Sequence, residues 1–203
     1  MKLLLIGPQG SGKGTQAKLL SEKLGVPHVS TGDLVRETTG RLREKIDSYI
    51  VVGNLIPDEL MLEILKERLE KEDCEEGWIL DGFPRNLKQA KMLDEIAKVD
   101  KVIEIFISDE EAVRRISGRR HCSKCGEGFN LVTMPPRDKE KCDKCGGQLL
   151  MRDDDKEEAV KKRLEIYHHD TEPILKHYKA RKINGEQSVE DVARDILKAL
   201  GPD

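Results

Sequence analysis

A chain of 203 residues can bury one sizeable core with small inserted lobes, and none of its apolar runs approaches the ~18 residues a bilayer-spanning helix needs. Charged residues are 37% and nearly balanced, at a formal net charge of −3, while aromatics are only 3%. That balance argues against a dedicated nucleic-acid binder, and the scarcity of aromatics removes the stacking platforms that single strands need. The apolar stretch at 3–6 is too short for a secretory leader, so a cytoplasmic protein is expected.

The first predicted element is a buried strand over residues 3–6, Leu-Leu-Leu-Ile. Directly behind it lies GPQGSGKGT, residues 7–15, followed by a predicted helix over 13–24 that Gly25 breaks. A buried strand that turns through glycines into a helix forms a phosphate cradle, because backbone N–H groups and the positive helix end both face an anion. Lys13 adds a point charge where the β and γ phosphates would lie. The spacing G-x-x-x-x-G-K fits the general nucleotide-binding pattern. Here Gly14 follows the lysine and the hydroxyl comes one place later, at Thr15, which narrows the reading toward small-molecule kinases.

Further along, a short strand is expected over 27–30 and a helix over 58–71, with Leu60, Ile64, Leu65 and Leu69 on one face. Residues 78–81 read as a third buried strand and 86–97 as a helix, followed by a strand over 101–107 and a helix over 109–120. A long amphipathic helix is expected from 159 to 178, a weak strand at 182–184, and a closing helix over 189–200. This alternation predicts an α/β fold with a five-stranded parallel sheet and helices on both faces. In such a fold, ligands sit at the carboxyl ends of the strands.

Residues 121–151 break the rhythm and read as an inserted lobe rich in Cys, Gly, Lys and Pro. Cys122-x-x-Cys125 and Cys142-x-x-Cys145, 16 residues apart, form a zinc signature. Four thiolates leave no open coordination position, so the metal is expected to be structural. Free thiols or two disulfides are the competing readings, and Cys74 stands apart as an ordinary thiol. A nucleic-acid-binding zinc ribbon is a rival reading that Lys124, Lys139, Lys141 and Lys144 permit, although they fit a solvated face equally well.

Asp81 ends the third strand within Leu-Asp-Gly-Phe-Pro-Arg, residues 80–85. An aspartate at that tip, beside a phosphate loop, is placed to hold the waters of a bound magnesium, with Gly82 allowing close approach and Arg85 gripping a second phosphate. Arg115 and Arg119, at i and i+4, are expected on one helix face, and Arg152 and Arg163 follow the lobe. Such arginines suit a lid that neutralises charge in a transition state. Surface ion pairs with neighbouring acids are the competing reading, preferred for Arg120, Lys161 and Lys162.

Several ordered stretches together carry a resemblance: GPQGSGKGTQ (7–16), STGDLVR (30–36), LDGFPRNLKQA (80–90), GRR (118–120), RDDD (152–155) and KKRLEIYHHDTEPI (161–174). Over nearly its whole length the chain resembles adenylate kinase in its zinc-lid form. The resemblance implies the reaction ATP + AMP ⇌ 2 ADP with Mg2+ and a structural Zn2+, by a P-loop-type protein expected as a monomer with neither nucleic-acid nor membrane partner. It implies a core over 1–29, 58–120 and 153–203, an AMP-binding lobe over 30–57 and a zinc-binding lid over 121–152.

Carried over residue by residue, Gly10, Ser11, Gly12, Lys13, Gly14 and Thr15 match the donor phosphate loop, Thr15 and Asp81 serving magnesium through water. Thr31 and Arg36 match acceptor positions, and Asn54, Leu55 and Ile56 the stretch lining the acceptor adenine. Gly82, Phe83, Pro84, Arg85 and Gln89 match the other acceptor contacts, Gln89 being the amide that reads adenine. Arg115 resembles the arginine stacked on the donor adenine, and Arg119, Arg152 and Arg163 those gripping phosphates on either side. Phe129 and Gln187 align with donor-base contacts.

The chain also departs from the family. Gln9 replaces a usual proline and is expected only to loosen the turn. The lid has Phe-Asn at 129–130 where Tyr-His is common, and segments 37–53 and 178–185 are several residues short, which opens donor choice to GTP. A kinase for another nucleoside monophosphate shares the loop and the Gly-Phe-Pro-Arg string, so it remains the alternative. The distant alternative is an ATP-dependent nucleic-acid-binding protein.

Overall fold

The computed structural model describes residues 1–50, 56–151, 155 and 157–201, so Asn54, Leu55 and Arg152 lie outside the described residues. At the centre is β1 (Lys2–Ile6), paired in parallel with β3 (Trp78–Asp81) and β4 (Lys101–Phe106), Leu3 lying opposite both Ile79 and Lys101. Outside β3 lies β2 (His28–Ser30), and outside β4 lies β8 (Arg181–Asn184), so the parallel order is β2–β3–β1–β4–β8. Period-two alternation explains why β1 reads as an unbroken apolar run. Leu3 and Leu5 pack with Ile79, Ile103 and Ile105 beneath α1 (Lys13–Leu24) and α9 (Val189–Leu200). Leu4 and Ile6 face the other way, joining Leu80 and Trp78 under α4 (Asp58–Leu69), α5 (Leu87–Ile96) and α8 (Glu172–His177). Each such leucine, fully removed from water, contributes about 1.5–3 kcal/mol.

Helix starts follow local chemistry. Ser30 Oγ, Asn86 Oδ1 and Ser188 Oγ accept from backbone N–H groups three residues on, and so cap α2 (Thr31–Glu37), α5 and α9. Ser108 does the same for α6 (Asp109–Ser117), whose first turn is acidic. Past α2, α3 (Gly40–Ile50) buries Ile46 against Leu60 and Ile64 of α4, so the small lobe has its own apolar cluster.

Two expectations are corrected. The helix over 109–120 stops at Ser117. Arg119 instead opens β5 (Arg119–Cys122), the middle strand of an antiparallel sheet with β6 (Gly128–Asn130) and β7 (Leu149–Leu150). Arg115 and Arg119 therefore share no helix face. The stop comes from the chain folding back: Leu131 N donates to Gly118 O at 2.9 Å, and Asn130 Nδ2 to Arg115 O at 2.8 Å. A Cβ at Gly118 would lie 2.9 Å from Val132 Cγ2, so glycine eases that approach.

The helix expected over 159–178 is likewise not continuous. After α7 (Glu157–Ile166) the chain widens into a π turn, Tyr167–Thr171, before α8. Pro173 has no N–H to continue the i→i−4 ladder, and Thr171 Oγ1 donates 2.8 Å to Arg85 O, which anchors the widened turn beside β3.

At the amino ends of the strands the backbone is tied down. Met1 N donates to Glu76 O at 2.7 Å and Trp78 N to Met1 O at 3.1 Å, while Lys2 and Asp100 exchange bonds of 2.8 and 2.9 Å. The opposite rim holds the glycine loop, Asp81 and the start of α6. Among the described residues no helix is long and apolar enough to cross a membrane.

Candidate active site

The loop between β1 and α1 differs from the serine- and asparagine-capped helix starts. The N-cap of α1 is Gly12, in a left-handed conformation, and no side chain caps the first turn. Those N–H groups keep their capacity for an anion. Ser11 is buried, and its Oγ has no hydrogen-bond partner. A buried, unsatisfied hydroxyl in a glycine loop fits a phosphate oxygen, the acceptor it lacks. Lys13 arches back over the loop, its Nζ donating to Gly7 O at 2.8 Å and Pro8 O at 2.9 Å. Burial pulls the Lys13 ammonium below its ordinary value; Asp81 opposes that, and the positive charges of Arg85 and Arg119 add to it.

Lys13, Asp81, Arg85 and Arg119 thus share one electrostatic neighbourhood, and Arg85 also feels Arg163. Arg163 Nη1 donates to Gln9 Oε1 at 3.0 Å, tying α7 to the glycine loop. Gln9 therefore does more than loosen the turn. Arg119 is held by Asp155, whose side chain is wholly buried at the root of the inserted lobe. Surface ion pairing was the reading available for that aspartate from sequence, because nothing local reveals its burial. Among the described residues Arg120 donates to the carbonyls of Ser117 and Arg119 rather than to an acid.

Asp81 emerges from β3 with its Oδ2 3.7 Å from where a Gly14 Cβ would stand and 3.9 Å from His28 Nε2. A carboxylate beside the phosphate loop, with Thr15 one turn into α1, is a donor set suited to a hydrated magnesium. Beyond it, Gly82 has φ of 89°, and a Cβ there would come within 2.6 Å of Thr31 Oγ1. Glycine lets the end of β3 meet the start of α2, so Thr31 and residues 82–85 come together. Phe83 is buried in the main core with Pro84 beside it. Arg85 Nε donates to Gly82 O at 2.8 Å. Arg36 is exposed and paired with Asp33 on its own helix, and Ile56 packs on the cluster around Ile46.

The residues expected at the donor base are each engaged within the protein. Arg115, nearly buried, donates from Nε to Glu111 Oε1 at 2.6 Å. Gln187 Nε2 donates to Asn184 O and to Asp195 Oδ2. Phe129 packs on the cysteine cluster of the inserted lobe.

Glu111 also accepts from Arg114, and that bond together with Arg115 holds its carboxyl at about 2, below the ordinary 4.5. A depressed folded-state value stabilises the fold above about pH 4.5, and the contribution is lost as pH falls toward 2. Glu111→Gln is therefore expected to lower stability at pH 7 by about 2 kcal/mol, and the gap to wild type should close between pH 4.5 and 2. Urea midpoints across that range would check it; a gap independent of pH would contradict the pairing.

In the inserted lobe the four cysteine sulfurs lie within 4.8 Å of one another. Cys122 and Cys145 Sγ are 3.5 Å apart, and Cys125 and Cys142 3.7 Å. A tetrahedron with metal–sulfur bonds of about 2.3 Å has edges of about 3.8 Å, so the cluster fits a bound metal. Backbone N–H groups of Cys125 and Lys124 donate to Cys122 Sγ, the start of a thiolate-stabilising knuckle. Cys74 lies apart, buried, with Arg68 Nη1 2.9 Å from its sulfur. The lobe lysines are exposed, Lys144 pairing with Glu127 and Lys141 with Asp138.

The family model for adenylate kinase matches residues 5–183. This chain belongs to the adenylate kinase family. It is 46% identical to an adenylate kinase of Caldicellulosiruptor bescii across 99% of each chain. Those of Methanocella arvoryzae and Archaeoglobus fulgidus are each 47% identical, across 98% of both chains. The first match extends over 213 positions against the 203 residues here, so this chain is several residues shorter than that relative. Family membership makes the chain a nucleoside monophosphate kinase with a P-loop core, and the four-cysteine cluster fits the zinc lid of the family.

Proposed function

We propose that the chain transfers a phosphoryl group reversibly between ATP and AMP, giving two ADP. The observation that carries this reading is that Lys13, Arg85 and Arg119 feel one another's charge beside Asp81, with Arg163 tied to the same glycine loop through Gln9. Two polyphosphate tails meeting end to end need a cationic site of this kind, from which water is excluded when the nucleotides are bound. The uncapped start of α1 and the residues 10–15 would hold the donor phosphates, with Lys13 on the group in flight. Thr31, Arg36, Arg85 and Gln89 would hold AMP, joined by Arg152 and by the backbone at 54–56. Arg119 would leave Asp155 to grip phosphate as the lobe at 121–152 closes.

An oxygen of the AMP phosphate attacks the γ phosphorus while the bond to the β-phosphate bridging oxygen breaks. The attacking oxygen is already an anion, so no side chain has to remove a proton. Asp81 and Thr15 would hold Mg2+, which would supply charge neutralisation on the phosphates. Zn2+ would sit in the four-cysteine cluster with a structural role.

A coupled assay at fixed ATP, with AMP, CMP and UMP compared as acceptors, tests the reading. AMP is expected to exceed the pyrimidine nucleotides in kcat/KM by orders of magnitude; equal use of CMP or UMP would transfer the chain to the pyrimidine branch.

A further inference from the structure

The amide of Gln89 is buried and engaged at both ends by groups that can each play only one role. Its Oε1 accepts from the Arg85 backbone N–H at 2.7 Å, and its Nε2 donates to Asp58 Oδ1 at 2.7 Å. A backbone N–H only donates and a carboxylate only accepts, so rotating the amide by 180° would set donor against donor and acceptor against acceptor. Asp58 is itself anchored. It opens α4, where an acid is favoured by the helix dipole, and its Oδ2 lies 3.3 Å from Lys88 Nζ. Lys88 also reaches Glu59 at 2.8 Å, which holds the ammonium over the first turn.

An amide oxygen offers two acceptor positions and an amide nitrogen two N–H groups, so one of each remains after these bonds. That remaining pair matches the edge of adenine, whose N6 amino group donates and whose N1 accepts. Hypoxanthine shows the reverse, an accepting O6 and a donating N1–H, and would need the amide turned over.

From this geometry we infer that Asp58 is a positioning residue that sets acceptor specificity: by fixing the orientation of the Gln89 amide, it makes the site select AMP over IMP. The inference rests on the reading of Gln89 as the group that meets the acceptor base. It adds a second residue, on another helix, whose chemistry decides which way that group faces. In Asp58→Asn the new side chain can donate as well as accept, so only the Arg85 N–H still opposes the turned amide.

The test compares kcat/KM for AMP and IMP, at saturating ATP, in wild type, Asp58→Asn, Asp58→Ser and Gln89→Leu. Asp58→Asn is expected to narrow the AMP/IMP ratio by about tenfold, with the KM for ATP unchanged. Asp58→Ser keeps a residue suited to a helix start and carries the same expectation should the asparagine variant fold poorly. A purely structural role for Asp58 would lower both acceptors equally and leave the ratio at its wild-type value. If Gln89→Leu collapses the ratio while both Asp58 variants preserve it, Gln89 reads the base but the inference about Asp58 is overturned. If Gln89→Leu itself leaves the ratio intact, the underlying reading of Gln89 fails, and the inference with it.

Discussion

Replacing Lys13 by methionine is expected to lower turnover by about 10³-fold or more while leaving the melting temperature unchanged or higher. The two halves of that expectation have one cause. The Lys13 ammonium is held over the glycine loop by two carbonyls, and burial with nearby Arg85 and Arg119 works against its charge. Without nucleotide it is a disfavoured charge, eased by Asp81 and by those two carbonyls. With nucleotide it faces the phosphates, and the unfavourable positive field becomes the source of transition-state stabilisation. Methionine preserves the bulk of the stem and removes the charge. The loop retains its own bonds, Ser11 N to Pro8 O and Gln16 N to Gly12 O. Steady-state rates together with a thermal melt check both halves. Activity near wild type would contradict the role of Lys13, and a melting point lowered by many degrees would contradict the energetic account.

The second large effect is expected at the other end of the molecule. Removing the metal from the cysteine cluster with a chelator under reducing conditions should lower the melting temperature by about 10 °C or more. The lobe has little else to hold it. Its sheet consists of strands of four, three and two residues, and its buried cluster is Cys122, Cys142 and Leu149 with Phe129 and Cys145 against it. Three of those five side chains are metal-ligand candidates, so without metal the cluster is reduced to thiols that no longer hold one another. Calorimetry of protein with and without chelator, alongside elemental analysis of freshly purified protein, decides it. A zinc content near zero, or an unchanged melt after stripping, would overturn the structural role.

The core was legible because its signals are local. The runs at 3–6, 78–80 and 102–105 are buried on both faces of their strands, and the helices behind Asn86, Ser108 and Ser188 start by chemistry confined to three residues. The glycine loop and the paired cysteines were legible for the same reason: each motif contains its own geometry. What escaped depends on distant partners. Gly118, Arg119 and Arg120 follow a helix with nothing helix-breaking except one glycine, and Arg119 becomes strand because β6 and Leu131 fold back onto it. The π turn arises where Thr171 reaches Arg85, 86 positions away. Gln9 gained a role through Arg163 on α7, and Asp155 through burial, neither visible in their own neighbourhoods. Asp58 holds the amide of Gln89 across 31 positions, which its own neighbourhood at the start of α4 does not reveal.

Because all five strands of the main sheet run the same way, the molecule divides its labour between two ends. The tethering bonds among Met1, Lys2, Glu76, Trp78 and Asp100 sit at the end remote from Lys13 and Asp81. Toughening this enzyme and preserving its speed are accordingly separable engineering problems: reinforcement added at the tethered end leaves the charged crevice untouched, whereas any attempt to relax the crowded cations at the other end trades turnover for robustness.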